Sequence, residues 1–164
     1  MALKVKILGR EALNKKLDAM APAANRYAAA AKLAVVEELA EKIRPGAPRG
    51  ATLEYAESIE GDLIKNHPHQ KLVGIEPTKD PDAAGLFAPF IWRFLEFGTA
   101  PHNTAKGGGT VAGKKQAAAG GGHLHPGTKA QPHIFTTWRA MRKRAKQRVN
   151  AAINRGVREA MGKK

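Results

Sequence analysis

The sequence predicts an α+β fold. A small antiparallel sheet packs against a long N-terminal helix and a long basic C-terminal helix, with a long Gly-rich loop inserted before the latter. Three observations lead there. Apolar residues recur every three or four positions from Leu13 to Ile43, and again from Ile134 to Ala160, which is the period of one helical face. Between these runs lie short apolar stretches punctuated by Pro, Gly and Asp, the mark of strands and turns. Residues 100–131 contain two Gly triplets, an Ala triplet and four lysines, with only Val111 and Leu124 as larger aliphatics.

Taken in order, Leu3, Val5 and Ile7 alternate with Lys4 and Lys6 as a half-buried strand, and Gly9 ends it. Leu13, Leu17, Met20, Ala24, Tyr27, Ala31, Val35, Leu39 and Ile43 then trace a helical stripe. Pro22 predicts a break or kink near Ala21, because proline removes a helical donor and clashes with the preceding turn. Pro45-Gly46 closes the helix, and TLEYAESI (52–59) predicts one helical turn leading into a strand through Ile59 to Ile64. His67-Pro68 turns the chain, and Gln70 to Glu76 is expected to return as the partner of a hairpin. After a polar loop at 78–85, Phe90, Ile91, Phe94, Leu95 and Phe97 fit a short buried helix, with Pro89 in its first turn and Gly98 past its end.

Residues 100–131 carry too little apolar surface to order themselves and are expected to be a mobile loop. Pro132 opens the last helix, whose stripe is Ile134, Trp138, Met141, Ala145, Val149, Ala152, Gly156 and Ala160. At about 1.5 Å per residue, a helix from Pro132 to Met161 would span roughly 45 Å, so its far end is expected to project. The organisation is thus one domain: a body at 1–99, a loop at 100–131 and a basic helix at 132–164 packed on the body.

Charge divides the chain unevenly. The net charge is +14, of which residues 1–100 contribute +1 and residues 101–164 contribute +13, with Glu159 the single acid of the latter. Such asymmetry points to an acidic or polyanionic partner for the second part. Cysteine is absent, which excludes disulfides, thiolate metal sites and a cysteine nucleophile. No apolar run approaches the roughly 20 residues that span a bilayer, and the N-terminal segment does not read as a signal peptide, so no membrane partner is expected.

Catalytic and cofactor motifs fail on inspection. Gly108-x4-Gly113-Lys114 has the spacing of a phosphate-binding loop, but Lys115 stands where the magnesium-binding hydroxyl belongs, and no strand pattern precedes it. His123 and His125, with His102 and His133 as further candidates, suggest a metal pair. They lie in or beside a Gly-rich loop, however, where contact with a neighbouring chain is the simpler expectation. Glu54, Glu57, Glu60 and Asp62 are expected to form a solvated face, and Ser58 is the only serine. No enzyme, cofactor or metal is expected. The candidate residues are instead partner-binding: His102, Lys106, Lys114, Lys115, His123, His125 and Lys129 in the loop, and Arg139, Arg142, Lys143, Arg144, Lys146 and Arg148 on the last helix.

Several phrases together carry a resemblance. They are Ala47-Pro48-Arg49-Gly50, Leu53 with Ser58-Ile59, Phe94-Leu95-Glu96-Phe97-Gly98-Thr99, and Gln131-Pro132-His133-Ile134-Phe135 at the mouth of the long terminal helix. In this order they resemble the gene-ten-like family of tailed phages and prophages, small virion proteins of the head–tail junction also called tail-completion or neck proteins. The chain departs from the family in the insertion at 100–131 and in its unusually basic last helix. The resemblance implies an α+β subunit without catalysis, in a ring of typically six copies between head connector and tail tube or terminator, assembled in the bacterial cytoplasm. The competing expectation is a basic DNA-associated protein that lays its last helix on duplex phosphates.

Overall fold

The computed structural model describes residues 10–50, 53–69, 72–74, 80–104, 110–120 and 122–162; the expected strand at Leu3, Val5 and Ile7 lies outside them. Helix α1 runs Arg10–Ile43 with Pro22 inside it, so of the expected break or kink the break does not occur. The reason lies in the last helix, α5 (Ile134–Ala160), which packs antiparallel along α1. A Cβ on Gly156 of α5 would stand 2.7 Å from the Ala23 carbonyl oxygen and 2.8 Å from Ala24 Cα. The backbone just after Pro22 is therefore gripped by α5, and that packing outweighs the single donor that proline removes.

The expected apolar stripe of α5 is its buried side, with Ile134, Met141, Ala145 and Gly156 buried and Trp138, Val149, Ala152 and Ala160 partly so. Its far end does not project. Arg26 and Tyr27 of α1 bind Glu159 near the end of α5, and Glu38 lies between Arg144 (3.5 Å) and Arg148 (2.8 Å) midway along. Two long helices that bury a stripe against each other gain more than one left extended in water. On α1 the expected stripe is buried at Val35, Leu39 and Ile43, whereas Leu17 is exposed; Ala28, outside that stripe, is buried too.

Past a 3₁₀ turn at Arg44–Gly46, helix α2 (Glu54–Glu57) enters strand β1 (Glu60–Leu63), close to the expected turn-then-strand. The partner of β1 is not the expected 70–76 segment. It is β2 (Ala84–Phe87), antiparallel, in register from Glu60 opposite Phe87 to Leu63 opposite Ala84. Leu72 makes an isolated bridge to Phe87 and the Val73 amide donates to Leu86, while positions 70–71 and 75–79 lie outside the described residues. Burial explains the exchange. Leu86, Phe87 and Ala88 are all buried: pairing through β2 carries Leu86 and Ala88 into the core beside Leu39, Ala40, Ile43, Ile59, Trp92, Ile134 and Met141, and Phe87 stacks on His67.

Helix α3 (Trp92–Phe97) ends at Gly98, whose φ of 73° favours glycine and whose amide donates to the Phe94 carbonyl. Beyond it, the segment expected as a mobile loop carries secondary structure over much of its described length. Strand β3 (His102–Asn103) pairs antiparallel with β4 (Leu124–His125), and helix α4 (Val111–Ala118) lies between them. Residues 105–109 and 121 lie outside the described set.

The expectation counted apolar burial alone. Threonines add hydrogen bonds that such a count leaves out. Thr99 and Thr128 exchange both backbone hydrogen bonds and join their hydroxyls at 3.0 Å. The Thr104 hydroxyl and amide bind His123, and Thr110 caps α4 by accepting the Gly113 amide at 3.1 Å.

Candidate functional site

The two halves of the sequence that flank the arm meet at one buried carboxylate. Glu96 of α3 is 3 % exposed, and its side chain faces the start of α5. Its Oε2 accepts the amides of His133 (2.8 Å) and Ile134 (2.9 Å), and its Oε1 accepts that of Phe135 (3.0 Å). The first turn of a helix carries free amides and the positive end of the helix dipole, so an anion is the group suited to it. Here that anion comes from a helix far away in sequence.

His133 completes the joint. Its Nδ1–H donates to the Gln131 carbonyl at 2.7 Å and lies 3.2 Å from Glu96 Oε2, and its Nε2 shares a hydrogen bond with the Tyr55 hydroxyl at 2.6 Å. Burial, and then the charge of Glu96, push the Tyr55 hydroxyl well above the usual tyrosine range. The Gln131 amide also donates to the Leu95 carbonyl at 2.8 Å.

Because Trp92 and Glu96 point inward, the other side of α3 points out. Phe90 (66 % exposed), Ile91, Phe94 and Phe97 (63 %) are exposed, which corrects the expected buried aromatic helix. Positions 90, 94 and 97 share one helical face and positions 92 and 96 the opposite one. The inward face is chosen by the fit of Glu96 to α5 rather than by apolar count. Phe90 packs edge-on against Phe94 at 5.5 Å, and Phe97 reaches Phe135 of α5 at 5.9 Å.

From Phe135 the same side of α5 continues as Arg139, Arg142, Lys143 and Lys146, all exposed and without an ion pair among the described residues. Arg144 and Arg148, on another side of the helix, are turned to Glu38. An aromatic step on α3 thus leads into a cationic stripe on α5.

The remaining candidates sit on the arm. His102 and His125 are cross-strand partners with rings stacked 5.0 Å apart; His102 Nδ1 bonds the Ala100 carbonyl and His125 Nδ1 accepts the Gly127 amide. His123, Lys114, Lys115 and Lys129 are exposed, and Lys106 lies outside the described residues. His133 is buried against Tyr55 and Glu96, so the four histidines do not converge. Gly113 and Lys114 lie within the first turns of α4, capped by Thr110, while Gly108 of the same motif lies outside the described residues.

One cluster went unanticipated. Glu60, Asp62 and His67 place ligand atoms within 4.8 Å of one another, with His67 Nε2 2.9 Å from Glu60 and 3.0 Å from Asp62. His67 also stacks on Phe87 at 4.1 Å. The Asn66 amide, the Leu63 N–H and His67 hold Asp62 below its usual carboxylate range. These bonds make the cluster a pin that fastens the turn after β1 over the sheet, while Glu54, Glu57 and Glu60 are exposed, as expected of a solvated face.

The architecture defines a class: a small α+β subunit with a two-helix spine, a separately sheeted arm and an exposed aromatic-cationic face, and no enclosed catalytic centre among the described residues. The chain belongs to the HK97-gp10-like family, whose model, described as "Bacteriophage HK97-gp10, putative tail-component", matches residues 11–98. The match ends at Gly98, where the arm departs. No curated protein and no solved structure matches the chain. No helix among the described residues is long and apolar enough to cross a membrane.

Proposed function

We propose that this phage tail component is a non-enzymatic structural subunit of the head–tail junction, one of a ring of about six copies, in keeping with the closed symmetry of most homo-oligomers, that joins the tail tube to the head connector. The observation that carries the reading is the family match over the whole body from α1 to the end of α3. The arm supports it. Strands β3 and β4 form a sheet of their own, apart from the β1–β2 sheet of the body. An appendage built this way presents Val111, Lys114, Lys115 and Leu124 to solvent, where a neighbouring subunit can meet them. Ring contacts are heterologous, and a near-neutral body beside a segment of net charge +13 provides unlike faces for them.

A second reading draws on Arg139, Arg142, Lys143 and Lys146, which could lie along duplex phosphates. The exposed aromatics beside them favour a protein instead, and a cationic wall around passing DNA would retard it. Omitting this chain from particle assembly tests the first reading. Filled heads and finished tails should then accumulate unjoined, and infectious particles formed without the chain would overturn it.

A further inference from the structure

We propose that the composite face of α3 and α5 docks an acidic segment of a different protein, anchored by apolar side chains. This adds a partner class to the virion reading without depending on it, because the face can be assayed on the isolated chain. The face has two continuous parts. Phe90, Ile91, Phe94 and Phe97 supply an exposed apolar step, far more than a lone surface hydrophobe. Phe135 touches Phe97, and Arg139, Arg142 and Lys146 follow it at the four- and seven-residue spacings that keep one helical side. At the helical rise the row from Phe135 to Lys146 extends about 16 Å, the length of three turns of a partner helix. Arg93 adds a further cation on α3, over the Trp92 ring.

Charge decides between occupants. No Asp or Glu occurs from Phe97 to Arg158, and Glu96 is consumed in capping α5. The face therefore offers cations and aromatics with no carboxylate of its own. A second copy is poorly suited to fill it. Each copy carries +14, and the exposed Glu57 shares its hollow with Arg44 and Arg49.

A nucleic acid would use the cations and leave the apolar step uncovered. Single strands stack on open ring faces, whereas Phe90 and Phe94 lie edge to face at 79°. An acidic segment with apolar anchors satisfies both halves at once, the cations steering it in and the aromatics being desolvated beneath it.

The test is a titration of the full chain, followed by Trp fluorescence, with a synthetic amphipathic helix bearing Leu on one face and Glu on the other. Expected is saturable, salt-sensitive binding. It should weaken about tenfold in Phe94→Ser/Phe97→Ser and about tenfold in Arg142→Glu/Lys143→Glu. It should be absent for the same peptide with Lys in place of Glu. All four substituted side chains are exposed, so circular dichroism should show folding unchanged.

Binding indifferent to either pair, or no saturable binding, would overturn the proposal. So would a DNA duplex that displaces the peptide and still binds the Phe94→Ser/Phe97→Ser variant. Self-association of the wild-type chain that the same phenylalanine pair abolishes would give the face to a second copy and overturn it equally.

Discussion

The carboxylate of Glu96 accepts the backbone amide of His133 at 2.8 Å, tying the end of α3 to the start of α5 across the whole length of the arm. The two phrases that flank the insertion, FLEFGT and QPHIF, are thereby parts of one joint. The arm can vary without disturbing the body because its root is closed beneath it by Glu96 and by the Thr99–Thr128 bridge.

Removing that carboxylate should be costly. Glu96→Ala leaves three amides at the buried mouth of α5 without an acceptor and is expected to lower stability by about 3 kcal/mol in urea unfolding. Glu96→Gln keeps one acceptor oxygen and should cost about half as much. A loss under 1 kcal/mol for the alanine variant would show that water satisfies the amides, and the joint would not be what fixes α5.

Gly156→Ala should destabilise, although alanine is the better helix former by about 1 kcal/mol. The new methyl would meet the Ala23 carbonyl at 2.7 Å, and backbone cannot swing aside as a side-chain end can. Forced separation of α1 and α5 should cost about 2 kcal/mol, read as a lower melting temperature. A more stable Gly156→Ala would mean that the two helices are not in contact there.

Acid should loosen the same helix pair. Lys42, then Arg144 and Arg148, hold Glu38 below its ordinary 4.5; the Tyr27 hydroxyl, then Arg26 and Arg155, do so for Glu159. With folded values below the unfolded ones, the unfolded chain takes up protons first. The stabilisation is therefore complete above about pH 4.5 and is lost as pH falls through the folded values. Both groups are in contact with solvent, so the effect should be small and should shrink in salt. Melting temperature against pH should fall below that point in wild type and less steeply in Glu38→Gln.

Alkali acts through Tyr55. Its folded value lies above the ordinary 10, so the folded chain keeps that proton longer than the unfolded one. Stability is full below pH 10 and declines as pH rises toward the folded value. Absorbance at the phenolate band should show the Tyr55 signal emerging only with unfolding. Tyr55→Phe should remove that late signal, and it should cost about 1 kcal/mol through the lost bond to His133.

These joints mark the boundary of what the sequence discloses. The α5 stripe from Ile134 to Ala160 was legible because a long amphipathic period has one reading. The orientation of α3 was not, since in six residues the more apolar side, Phe90, Phe94 and Phe97, is the exposed one, and only the fit of Glu96 to α5 decides the matter. The partner of β1 was hidden for a related reason. Both 70–76 and 84–87 can make a strand, and the choice depends on burying Leu86 beside the α1 residues Leu39 and Ile43 and Phe87 against His67.

The secondary structure of the arm was not legible because it rests on hydroxyl and backbone bonds of Thr99, Thr104, Thr110 and Thr128 rather than on an apolar pattern. Among the candidate residues, the row Arg139, Arg142, Lys143 and Lys146 could be listed from sequence. Its continuity with Phe97 through Phe135 could not, because that contact joins elements on either side of the arm.

The central claim, that this chain is a ring-forming part of the head–tail junction, is tested most directly by cryo-electron microscopy of purified particles together with protein counting by mass spectrometry. The account predicts about six copies per particle, with the α1–α5 spine and the arm visible in a ring where head and tail meet. Particles that lack the chain, or that carry it only elsewhere, would contradict it.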